Sequence, residues 1–174
     1  WHMMLSQKDY IIVCVDGRGT GFKGSYFKKI TQKELGKYEV EDQISAAKQL
    51  GELPYIDASR IGIWGWSYGG YMSSLCLLKG NDVFSMAIAV APPTNWKWYD
   101  TIYTERYMRT LAENEQGYKD NAPVYFADKL KGDYLLIHGR GDDNVHFQYS
   151  VGMSEALSSA NKQCDAYCCG GGSR

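Results

Sequence analysis

The sequence predicts an α/β domain: a mostly parallel sheet with helices on both faces, incomplete at both ends. Short apolar or β-branched runs alternate with stretches of helical periodicity, the arrangement that builds parallel βαβ units. One strand-to-helix junction is the tight turn Gly65-Trp66-Ser67-Tyr68-Gly69. The chain has 174 residues, 44% hydrophobic and 22% charged, enough for one domain with a real core.

The elements follow in order. Tyr10 to Val15 is a nearly continuous apolar run closed by Asp16-Gly17, expected to be a strand buried on both faces. Val40 to Leu50 places Val40, Ile44, Ala47 and Leu50 on one side of a helix, with Gly51 beyond its end. Ile61 to Trp64 is the second strand, and a helix runs from about Gly70 to Lys79. The third strand, Met86 to Ala91, stops at Pro92-Pro93. Trp96 to Met108 reads as a tyrosine-rich loop and short helix, Tyr134 to His138 as the fourth strand and Val151 to Ala160 as the last clear helix. Ligands of such a sheet are expected at the carboxyl ends of its strands, after Val15, Trp64, Ala91 and His138.

Charge excludes some partners. With 19 basic and 20 acidic residues the net charge is -1, and no long run of one sign would track nucleic acid or an anionic membrane. No apolar stretch approaches the roughly 20 residues of a membrane span, and the start lacks the layout of a signal peptide, which leaves the compartment open. An opening on Trp1 reads as a fragment. Five cysteines cannot all pair within one chain; Cys14 and Cys76 read as buried thiols. Cys164, Cys168 and Cys169 match no common zinc spacing and have no nearby histidine, so neither a metal nor another cofactor is expected. Residues 168–174, rich in Cys and Gly, read as an unstructured tail after a partial catalytic domain over 1–167.

A serine on a strand-to-helix turn has its hydroxyl pushed out of the sheet, and small neighbours let strand and helix close without a collision. Ser67 is therefore the candidate nucleophile, and the Tyr68 N–H at the helix start can donate to an oxyanion. A serine needs a base, and the base needs a carboxylate to orient it. The loop after the fourth strand supplies Asp142, with Asp143 as the fallback. The base is harder to place: His138 closes a strand and reads as structural, His146 would have to fold back across its own acid, and His2 stands at the edge. The stretch Trp96 to Tyr107 reads as an aromatic packing cluster or as pocket walls.

Longer strings carry a resemblance. Val15 to Gly21, Tyr38 to Gln43, Gly65 to Tyr71, Tyr99-Asp100 with Tyr103 to Met108, and His138-Gly139 with Asp142 to Gln148 together resemble the prolyl oligopeptidase family of serine peptidases, in its dipeptidyl peptidase IV branch. The resemblance implies an α/β-hydrolase fold and an exopeptidase that removes Xaa-Pro or Xaa-Ala dipeptides from peptides with a free N-terminus, through an acyl-enzyme and without a cofactor. It implies Ser67 as nucleophile, Asp142 as triad acid and Tyr68 as oxyanion donor. Trp96, Tyr99, Tyr103 and Val145, with Tyr68, would wall the proline pocket, and Asn144 would bind a substrate carbonyl. Pro93 departs from the branch, and after Tyr167 the expected histidine loop gives way to Cys168-Cys169 and glycines. The chain alone is accordingly expected to be inactive, and self-association through open sheet edges is admitted. Two rivals remain: another α/β hydrolase, such as an esterase or acylaminoacyl peptidase, and a non-catalytic interaction module on the same scaffold.

Overall fold

The computed structural model describes residues 1–171. Four parallel strands, β1 (Gly62–Trp66), β2 (Met86–Val90), β3 (Asp133–Gly139) and β4 (Asp165–Cys169), lie side by side in chain order. Trp66 is in register with Val90 and Val90 with Ile137, so β1 and β2 end level with each other and β3 runs two residues further. Around it run α1 (His2–Ser6), α2 (Ser25–Lys29), α3 (Lys37–Gly51), α4 (Tyr68–Lys79), α5 (Thr101–Met108), α6 (Glu115–Asp120) and α7 (Gln148–Ser159).

One face of the sheet forms the core. Side chains alternate along a strand, and Ala87, Ala89, Tyr134, Leu136 and His138 are all buried on the side covered by α4 and α7. The two alanines leave room for α4, whose Tyr71, Leu75, Cys76, Leu77 and Leu78 are buried. Each of those leucines contributes on the order of 1.5–3 kcal/mol by burial. Two hydroxyls under α4 are paired: Ser74 donates to the Gly70 carbonyl at 2.7 Å, which leaves Tyr134 to donate its hydroxyl proton to Ser74 at 2.6 Å. The opposite face carries Trp64 and Trp66, both partly exposed, with His2 of α1 edge-on to Trp64.

Two expectations fail here. Tyr10 to Val15 is not a strand: Tyr10, Ile11, Val13 and Val15 are exposed, as is Cys14, expected to be a buried thiol, and no described residue forms a sheet ladder with them. An apolar run becomes a buried strand only when a neighbour supplies both a ladder and a cover, and composition cannot show whether one is present. Conversely, Cys168 and Cys169 do not open an unstructured tail. They complete β4, in register with His138 and Gly139. The remaining tail residues, 172–174, lie outside the described residues.

Candidate active site

Ser67 occupies the turn between β1 and α4 at φ 55° and ψ −116°, a conformation that costs a non-glycine residue about 1–3 kcal/mol. The neighbours explain how it is held. Ser67 N–H donates to the Val90 carbonyl at 2.8 Å, and Tyr71 N–H donates to the Ser67 carbonyl at 2.9 Å. A Cβ on Gly65 would collide with the Gly69 backbone, and one on Gly70 would sit 2.7 Å from the Val90 oxygen. The small residues are thus a steric requirement of the crossing. Tyr68 begins α4, so its N–H is among the first-turn donors without an intrahelical acceptor.

The loop after β3 carries the candidate acid. Asp142 is buried, and its Oδ1 accepts N–H bonds from Asn144 and Val145, both at 3.0 Å. These leave Oδ2 to orient a base. Asp143, the fallback, is exposed. Strand spacing of roughly 4.8 Å puts the ends of β1 and β3 about 10 Å apart with β2 between, a span that one histidine ring between serine and carboxylate can fill.

His138 is held by other bonds. Its Nε2 donates to the Val145 carbonyl at 2.6 Å, so Nδ1 accepts the Ser150 hydroxyl proton at 2.7 Å. Its Nε2 lies 3.5 Å from Asp142 Oδ2, too long for a good hydrogen bond. The ring braces the acid loop from beneath. His146 is exposed, and His2 lies near Trp64 and Cys14.

The aromatic residues gather into one cluster. Trp96, in a 3₁₀ turn (Trp96–Trp98) whose Asn95 side chain accepts the Lys97 N–H at 3.1 Å, is stacked on Tyr103 at 5.8 Å and 26°. It lies 5.9 Å from both Tyr68 and Tyr99. Asp100 caps α5 through the Tyr103 N–H at 2.8 Å and so aims Tyr103 into the group. Tyr99 donates to Asn144 Oδ1 at 3.0 Å, which joins the cluster to the acid loop. Burial pushes the Tyr103 hydroxyl up to about 12 and that of Tyr68 higher still, so both stay neutral donors. Trp96 and Val145 are almost wholly buried; in this arrangement they back the cluster, while Tyr68, Tyr99 and Tyr103 are partly exposed.

The profile of the prolyl oligopeptidase family matches residues 1–169. The chain belongs to that family. Among prolyl oligopeptidase relatives, the chain is 48% identical over 155 residues to a probable dipeptidyl peptidase 4 of Aspergillus flavus, covering 87% of this chain and 20% of that protein. Over 164 residues it is 47% identical to the prolyl endopeptidase FAP of Mus musculus, covering 92% and 22%. The crystal structure of Porphyromonas gingivalis dipeptidyl peptidase 4 superposes with a TM-score of 0.88 at 50% identity, covering 90% of this chain and 22% of that one. These likenesses establish the α/β-hydrolase fold. The chain spans about a fifth of the length of the relatives it matches.

One residue at the site has no role in the sequence reading. Glu39, on α3, accepts the Tyr68 hydroxyl at 2.6 Å. It lies in a string shared with the family, and its place three residues after Gly36 marks it as a capping glutamate. Nothing in that spacing shows which side chain its second oxygen meets.

Proposed function

We propose that this chain is the central part of the catalytic domain of a serine exopeptidase that releases Xaa-Pro or Xaa-Ala dipeptides from a free N-terminus. The carrying observation is an unbroken path of contacts from nucleophile to acid: Ser67 adjoins Tyr68, Tyr68 packs near Trp96, Trp96 near Tyr99, Tyr99 bonds Asn144, and the Asn144 N–H bonds Asp142. A binding module has no use for a strained serine so linked, and a general esterase has none for the aromatic walls.

Each group has a task. The Ser67 hydroxyl attacks the carbonyl carbon of the second substrate residue as a histidine base takes its proton. The carbonyl oxygen gains the negative charge and is met by the Tyr68 N–H. Collapse of the tetrahedral adduct expels the rest of the peptide as an amine, which leaves with the proton from the base. Water then cleaves the acyl-enzyme by the same route. Flat rings suit a rigid pyrrolidine, and the Asn144 amide can orient the peptide. With His138 held by Val145 and Ser150, the base is assigned to a part of the longer protein outside this chain, so the chain by itself is expected to be inactive.

The test uses the longer protein. Gly-Pro-anilide should be cleaved, a fluorophosphonate probe should label Ser67, and Ser67→Ala should abolish both. N-acetylation of the substrate should stop cleavage. Retained cleavage of the blocked substrate would instead favour the endopeptidase activity named in the FAP relative, and ester cleavage without Xaa-Pro cleavage would remove the peptidase reading.

A further inference from the structure

We infer that Glu39 is a positioning residue for substrate specificity, holding the Tyr68 ring by its hydroxyl so that one wall of the proline pocket keeps its place; this rests on the peptidase role proposed for Ser67 and Tyr68. The Tyr68 hydroxyl donates to Glu39 Oε1 at 2.6 Å, a short bond of the charge-assisted kind. The other oxygen, Oε2, accepts the Gly36 N–H at 3.0 Å, so the carboxylate is itself fixed to the start of α3. Gly36 sits at φ 95°, packed so closely that a Cβ there would collide with the Tyr71 hydroxyl. That hydroxyl lies 2.7 Å from the Leu35 carbonyl and 2.8 Å from that of Asn121.

The Tyr68 ring is therefore held at both ends. Its backbone is fixed by the elbow, and its hydroxyl by Glu39. Between them the ring packs 5.3 Å from Tyr71 and 5.9 Å from Trp96, tilted 33° to the indole. A ring without that tether is held only by its backbone and by packing, and the pocket wall it forms loses its fixed place. Burial pushes the Tyr68 phenol well above its ordinary value, so it keeps its proton and donates.

A ring held by its far end affects how well the pocket binds proline more than how fast bound substrate reacts. The experiment compares KM and kcat of the longer enzyme on Gly-Pro-anilide. Glu39→Leu keeps the bulk and removes both bonds; it should raise KM about tenfold and change kcat by less than about threefold. Glu39→Gln, whose amide can still meet both partners, should restore most of the loss. Tyr68→Phe removes only the hydroxyl and leaves the helix cap intact, so it should match Glu39→Leu even if that variant folds poorly. The double variant Glu39→Leu/Tyr68→Phe should be no worse than either single one. An unchanged KM in Tyr68→Phe, or losses that multiply in the double variant, would overturn the inference while leaving the peptidase reading intact. A wild-type enzyme that fails to cleave Gly-Pro-anilide would overturn that reading, and this inference with it.

Discussion

The Ser67 N–H meets the Val90 carbonyl at 2.8 Å, tying the elbow after β1 to the last residue of β2. A Cβ on Gly70 would lie 2.7 Å from that same oxygen and 3.2 Å from the Gly65 carbonyl. Gly70→Ala is expected to destabilise the fold by about 2 kcal/mol or more, because the obstacles are backbone atoms and cannot turn aside. Gly69, one residue earlier, has open space at its Cβ position. Gly69→Ala should therefore be neutral within about 1 kcal/mol in urea denaturation. Equal losses in the two variants would contradict the steric account.

His138 should behave as a structural residue. Ser150→Ala leaves its Nδ1 buried without the hydroxyl that meets it at 2.7 Å, and should cost about 1–3 kcal/mol. His138→Ala removes both bonds and opens a cavity under the Asp142 loop, for about 3–4 kcal/mol. Thermal unfolding of the two variants measures the difference.

Trp96 is 1% exposed and touches Tyr68, Tyr71, Tyr99 and Tyr103. Trp96→Ala should lose about 3–5 kcal/mol, while Trp96→Phe should lose less by keeping part of the stack. Chemical denaturation ranks them.

Two carboxyls one turn apart on α3 should give opposite pH responses. Hydrogen bonds from Arg18 hold Asp42 below its ordinary value of 3.8. Its contribution is present above that value and is lost as the pH falls through the lowered one; Arg18→Met should flatten this acid loss. Burial holds Glu39 above its ordinary value of 4.5. Its contribution is complete below 4.5 and is lost as the pH rises through the raised value; Glu39→Gln should flatten that loss. Unfolding free energies across the acid range would show unchanged slopes if either assignment were wrong.

The legible parts of the molecule were those whose signal is local. The elbow shows in Gly65 to Gly70 because a tight crossing demands small residues at fixed positions, and α3 and α4 show in their periodicity. Pairing partners are not local. Tyr10 to Val15 has the composition of a strand and lies exposed, whereas Asp165 to Cys169, with little strand character, is recruited by the edge of β3. The same distinction runs through the site: Ser67 and Asp142 sit at recognisable junctions, but the bond between Glu39 and Tyr68 spans two helices and appears only when α3 packs on α4.

The order β1-β2-β3-β4 in space repeats the order of synthesis. Each strand after the first can therefore dock on a neighbour already made, without waiting for a later segment to be inserted between them. Parallel pairs are slow to close because their partners are distant in sequence, and this arrangement lets a growing chain make those closures one at a time. The Val90 carbonyl that meets the Ser67 N–H belongs to β2, so the partner of the elbow comes with the second addition and the Asp142 loop with the third.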